Sequence, residues 1–245
     1  MRDLDVYVDS YNQLDFEKIQ EKYRRRDVLS RIAKYNASKI LEIGCGRRSI
    51  LNDLNPDIEV TVIEPAIEFF NQALSDSKGR SNSKVLNLFF EDFPKSSKYD
   101  FVIVSSLLHE IIDKERFIEK ILNLLDINTY IYFNVPNAMS FHRLLAVESK
   151  IIYNYDDISA TQISMQQSSR PFTQKSLQLL LKKNGLDVIE NYTIFLKPFT
   201  HKQMKLILDN GIISDNILDG LFNLTKYFPE YGSEISIIAK GKASA

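Results

Sequence analysis

The sequence predicts an α/β domain: a mostly parallel sheet with helices on both faces. Two observations carry this. Short apolar runs rich in β-branched and aromatic residues alternate with amphipathic stretches at helical spacing. Several of those runs, such as KILEIG, are apolar almost throughout, as strands buried on both faces are.

Residues 14–35 place apolar side chains at helical spacing between charges, which predicts one or two leading helices within 1–37. Lys39–Gly44 is the first strand, with a helix expected directly after it, and Glu59–Pro65 is the second. IEFFNQALSD reads as helix. Lys84–Phe93 and Tyr99–Ser106 are strands three and four, Lys114–Leu125 is an amphipathic helix, and TYIYFNV is strand five. The polar stretch 148–172 shows no clear period and reads as an irregular or partly helical insertion. Thr173 as N-cap and Gly185 as stop bracket a further helix. DVIENYTIFL and SEISIIAKG are the last strands, with helical patterns between them in 197–232. The expectation is one domain over 1–245, with 148–172 and 197–232 as lid-like insertions.

Composition narrows the function. The chain has 245 residues, enough for one large α/β domain. Its 31 Lys and Arg against 32 Asp and Glu leave a net charge of −1, so no basic field favours nucleic acid. A single cysteine, Cys45, excludes an intramolecular disulfide and a multi-cysteine zinc site, and no metal is expected. No apolar run reaches the roughly 20 residues of a membrane span. The N-terminus is too acidic and interrupted for a signal peptide, so the cytoplasm is the expected compartment.

One motif points to chemistry. In LEIGCGRRS a Gly-x-Gly turn ends strand one, where backbone amides can approach a ligand. Glu64 ends strand two in VIEP, and a carboxylate there can accept both hydroxyls of a ribose. The pair argues for a nucleoside-containing cofactor. A dinucleotide is disfavoured, because Gly44-Cys45-Gly46-Arg47-Arg48-Ser49 lacks the third glycine. Glu42 points into the turn, where it would repel a pyrophosphate and suit the amino group of an amino-acid moiety.

With these residues the chain resembles the class I S-adenosylmethionine-dependent methyltransferases, well over Lys39–Pro136 and loosely beyond. The resemblance implies a Rossmann-like, doubly wound sheet of seven strands with an antiparallel last strand, and S-adenosyl-L-methionine as cofactor. It implies Glu42 toward the methionine ammonium, Gly44, Cys45 and Gly46 as the glycine turn, and Glu64 with Pro65 at the ribose. FEDFP resembles the acidic turn after strand three, with Asp92 toward the adenine amino group and Phe93 stacking or donating its amide. YDFVIVSSLLHEI resembles the fourth motif, with the strand end at Ser105 passing beneath the methionine. An Arg of the leading helix, Arg25, is the candidate for the methionine carboxylate. Two departures stand out: Arg48 where the family usually has Gly, and Asp126-Ile127-Asn128 in place of a glycine pair.

The acceptor side is expected beyond strands four and five. VPNAMSFHRLLAVE follows strand five with a dense polar cluster and resembles a pattern of bacterial methyltransferases from surface-glycan and natural-product gene sets. Asn137 and Arg143 are the substrate-binding candidates, and His109 or His142 is the general base for a hydroxyl acceptor. The expected reaction is O-methylation of a small molecule: a sugar, a phosphorylated compound or a natural-product intermediate. A tRNA or protein methyltransferase is disfavoured by the neutral charge. A silent cofactor-binding scaffold is the rival of a different class, with Arg48 as its support.

Overall fold

In the computed structural model of the protein, residues 3–14, 16–94 and 98–242 are described. The strands are β1 (Lys39–Ile43), β2 (Glu59–Ile63), β3 (Ser83–Leu86), β4 (Phe101–Ser105), β5 (Tyr130–Pro136), β6 (Leu186–Ile194) and β7 (Glu234–Gly241). The helices are α1 (Leu4–Asn12), α2 (Glu17–Lys34), α3 (Ile67–Asp76), α4 (Lys114–Leu122), α5 (Phe141–Glu148), α6 (Ala160–Ser164), α7 (Gln174–Lys183), α8 (His201–Asp209) and α9 (Asp215–Asn223). One sheet runs in the order β3-β2-β1-β4-β5-β7-β6. The first five strands pair in parallel, and β7 runs antiparallel to both β5 and β6. This is the mostly parallel sheet that the sequence pattern predicts, with the doubly wound order and reversed last strand that the resemblance implies.

Side-chain alternation gives the central strands two buried faces, while the edge strands β3 and β6 are partly exposed. Leu41 and Ile43 of β1, Val102 and Val104 of β4, Phe133 of β5 and Ile237 of β7 meet Phe117 and Ile121 of α4 and Leu177 and Leu181 of α7. The intervening Ile40, Phe101, Ile103, Tyr132 and Ile238 face Val28 and Ile32 of α2 and Ala73 of α3. Each fully buried side chain of this size contributes about 1.5–3 kcal/mol, so a helical layer on both faces is the stable arrangement. Local signals set the helix ends. Thr173 and Ser176 form a reciprocal capping box on α7, and Gly185, with φ of 83°, follows its end.

Two boundaries differ from the sequence expectation. No α-helix follows β1; Ser49 caps a single 3₁₀ turn, Ile50–Asp53. The run Asn52-Asp53-Leu54-Asn55-Pro56-Asp57 is made of turn formers and cannot carry a helix. Arg80 fills the gap by donating to the carbonyls of Leu51, Leu54, Asn55 and Ile58. Strand three ends at Leu86 rather than Phe93. Asn87 donates to the carbonyls of Glu64 and Pro65, and Phe90–Asp92 turns as a 3₁₀ segment that buries Phe90 and Phe93 in the core.

The two insertions take different places. The 148–172 segment, with α6, bridges α1 and the loop after β4. Gln166 exchanges hydrogen bonds with the Asp3 backbone, and Gln167 donates to Glu110 at 2.8 Å. The 197–232 segment packs instead on α2: Phe16, Tyr23, Phe195, Met204 and Leu218 form a cluster of their own. Neither segment contributes a residue to the lining of the cleft described next.

Candidate cofactor and active site

The carboxyl ends of β1, β2 and β4 open into a cleft of about 560 Å³, a size suited to a small-molecule ligand. Its floor is the turn Gly44–Gly46. Both glycines have positive φ, 74° and 59°, which a side chain would strain. The Gly44 amide donates to the Ile63 carbonyl at 2.8 Å, and a Cβ at Gly44 would stand 3.4 Å from Leu107.

Two carboxylates flank this turn. Glu64 accepts from the amides of Cys45 (2.9 Å) and Gly46 (3.1 Å) through one oxygen and from Ala66 (2.9 Å) through the other. The strand-two acid and the glycine turn therefore form one unit. Glu42 shares the parity of Ile40 and faces the α2 side, where it accepts from the Ser49 hydroxyl and, at 3.1 Å, from the Ile50 amide. Burial pushes the Glu42 carboxyl up to about 7 and raises Glu64 as well, against the amide hydrogen bonds that favour its charge. Carboxylates so desolvated gain from an ammonium or a diol. A cleft of this volume with these two acids fits an adenosyl group carrying an amino acid.

The other cofactor candidates from the sequence distribute plainly. Cys45, Pro65, Asp92, Ser105 and Arg25 line the cleft with Glu42, Gly44, Gly46 and Glu64. Burial and the neighbouring Glu64 hold the Cys45 thiol protonated. Arg25 is heavily engaged: its guanidinium donates to the carbonyls of Ser49 and Arg48 and pairs with Glu21 and Asp53, both at 3.0 Å. Arg48 has no positive φ, and its side chain reaches outward to Asp53 at 2.8 Å. The turn therefore does not require glycine at that position. Phe93 is not among the lining residues; it lies in the core with Phe90.

None of the acceptor-side candidates lines the cleft. Asn137 is buried and structural: its amide donates to the carbonyls of Glu230 and Gly232, and its oxygen accepts from the Met139 amide. Arg143 donates to the carbonyls of Tyr155 and Asp157, holding the start of the insertion. His142 has a buried Nδ1 with no partner, and burial, with Lys197 nearby, holds its imidazole neutral. His109 is buried in the 3₁₀ turn Leu108–Glu110 after β4, 3.7 Å from Glu110. Glu110 itself lines the cleft, and Gln167 sits against both, 3.4 Å from His109 Nε2.

Sequence reasoning missed several lining residues: Tyr7 and Tyr11 of α1, Arg24 of α2, and Glu110. The i, i+4 spacing of the two tyrosines was the available signal. Arg24 had none, because it pairs not only with Glu17 of its own helix but with Glu234 at the head of β7, 210 positions away, where Gln20 also donates. Among the described residues, no group of three His, Cys, Asp or Glu side chains is placed to hold a metal ion, and no helix is long and apolar enough to cross a membrane.

Sheet order, cleft position and flanking acids define a class I S-adenosylmethionine-binding fold. The family model for a methyltransferase domain matches residues 16–191, and the chain belongs to that family. It is a methyltransferase with S-adenosyl-L-methionine as cofactor. No curated protein matches. Among solved structures, an S-adenosylmethionine-dependent methyltransferase from Aquifex aeolicus is similar at a TM-score of 0.58 and 14% identity, covering 98% of each chain. The N-methyltransferase NodS from Bradyrhizobium japonicum, in complex with S-adenosylhomocysteine, has a TM-score of 0.57 at 12% identity, over 97% of this chain and 99% of its own. The mitomycin 7-O-methyltransferase MmcR has a TM-score of 0.54 at 13% identity over 85% of this chain, which spans only 50% of MmcR. At such identities the likeness is one of fold.

Proposed function

We propose that the protein transfers a methyl group from S-adenosylmethionine to a small-molecule acceptor, with a hydroxyl as the nucleophile. The observation that carries this is the cleft at the strand ends, where the Gly44–Gly46 turn lies between two buried carboxylates. Bound cofactor supplies an electrophilic methyl carbon on a sulfonium. The protein then has to orient the acceptor in line and take its proton. Glu42 suits the amino-acid ammonium, Glu64 the ribose diol, and Asp92 the adenine edge. The apolar rings of Phe69, Phe89 and Phe90 line the cleft and exclude water. The proton acceptor is the His109–Glu110 pair after β4, because Glu110 faces the cleft with His109 directly behind it. His142 and Arg143 keep a supporting role in the loop after β5. A neutral overall charge and a cleft lined on one side by Leu4, Tyr7 and Tyr11 of α1 favour a small acceptor over tRNA or protein.

The test is calorimetric titration with S-adenosylhomocysteine, followed by a screen of hydroxylated and amine-bearing small molecules for S-adenosylhomocysteine release. Binding with turnover on a hydroxyl supports the whole reading. Turnover confined to amines would replace the hydroxyl, and binding without turnover on any acceptor would leave a cofactor-binding scaffold.

A further inference from the structure

We propose that the Tyr11 hydroxyl faces the sulfonium end of the cleft with its lone pairs and biases the site toward S-adenosylmethionine over its uncharged, demethylated product. This rests on the cofactor reading above. In the cofactor the sulfur links the ribose to the amino-acid chain. Glu64 at the ribose and Glu42 at the ammonium therefore bracket it: Glu64 accepts from the amides of Cys45 and Gly46, and Glu42 stands two residues before Gly44. Tyr11 Oη hangs above that turn, 3.9 Å from the point where a Cβ on Gly46 would stand.

A phenol has one proton and two lone pairs. Tyr11 donates its proton to Glu17 Oε1 at 3.4 Å, so the hydroxyl presents acceptor character to the cleft. Glu17 is buried and cannot swing away: Arg24 grips it at 3.0 Å and also holds Glu234. The ring is set by Tyr7, stacked at 5.9 Å, and by Phe69, edge-on at 5.9 Å. The surrounding cations do not reverse the local field. Arg47 lies 4.8 Å from the Tyr11 ring but faces Glu21 at 3.4 Å, and Arg24 is matched by Glu17 and Glu234. On the same turn Glu64 accepts from the Gly46 amide at 3.1 Å, and Glu42 lines the same cleft. A sulfonium interacts with this oxygen through a full positive charge; a thioether does not.

The test compares S-adenosylmethionine, S-adenosylhomocysteine and sinefungin, whose ammonium replaces the methylated sulfonium, by calorimetry on the wild-type chain and on Tyr11→Phe. Phe keeps the ring contacts, and its melting curve checks the fold. The expected result is a loss of about 3–10-fold for the two cationic ligands, the scale of a charge-assisted hydrogen bond, with less than a twofold change for S-adenosylhomocysteine. Tyr11→Met, bulky but without the oxygen, must show the same selective loss. Equal losses for all three ligands, or none, overturn the proposal and leave Tyr11 a roof residue. If the wild type binds none of them, the cofactor reading itself has failed.

Discussion

The ends of β1 and β2 and the end of β5 are both dense in polar side chains, yet they spend them differently. At β1 and β2, Glu42 and Glu64 are tied to nearby backbone and still line the cleft. At β5, Asn137 and Arg143 give their hydrogen bonds to main-chain carbonyls of distant segments and line nothing. A polar cluster behind a core strand is thus not a site by itself. What decides is whether the tertiary structure leaves the groups facing a cavity or consumes them in closing loops.

The largest effect should come from the buried charges that join the two regions. Arg24→Met removes the cation that bonds Glu17 and Glu234 directly and leaves them only the buried Lys197 nearby, which should cost about 3–5 kcal/mol in urea unfolding. A loss below about 1 kcal/mol would show that water reaches the network. Asn137→Ala removes three hydrogen bonds at a buried position and should lower stability by about 2–3 kcal/mol. The dissociation constant for S-adenosylhomocysteine should stay within about twofold, because cofactor and Asn137 share no contact. A large change in affinity would return Asn137 to the site.

On the other side of the comparison, Glu64→Ala should weaken S-adenosylhomocysteine binding by about 1–3 kcal/mol. Unchanged affinity in a folded variant would remove Glu64 from the ribose. Glu42 adds a pH dependence. Its folded pKa of about 7 lies above the ordinary value of 4.5, so the native state holds the proton longer than the unfolded one. Its contribution to stability is therefore present below about 4.5 and is lost as pH rises through about 7. Cofactor binding runs the opposite way, because an ammonium favours the carboxylate. Affinity should rise by up to about tenfold between pH 6 and 8, a shift of roughly one pKa unit, and Glu42→Gln should flatten the profile. The smallest effect is expected for Arg143→Ala: about 1 kcal/mol of stability and no change in cofactor affinity.

The difference between the regions also explains what could be read in advance. KILEIGCG places strand, turn and acid within eight residues, and Glu42 contacts Ser49 and Ile50 of the same segment. Glu64 comes to the turn because β1 and β2 pair in parallel with Glu42 opposite Val62. Those contacts follow from one strand pairing. The partners of Asn137 lie more than ninety positions away, at Glu230 and Gly232. Tyr11 and Glu110 reach the cleft only because α1 folds across the glycine turn and Gln167 meets the β4 loop.

By itself, then, the sequence determined a mostly parallel sheet between helices, the glycine turn and the two acids beside it, and the family resemblance implied the reversed last strand. Alternation and motif spacing act over short stretches of chain, and parallel pairing extends them to the neighbouring strand. The tertiary structure decided which polar groups remain facing the cleft. Burial forces every buried donor and acceptor to find a partner. In this protein the partners of the β5 loop come from 150–160 and 229–233, segments whose approach no local pattern encodes.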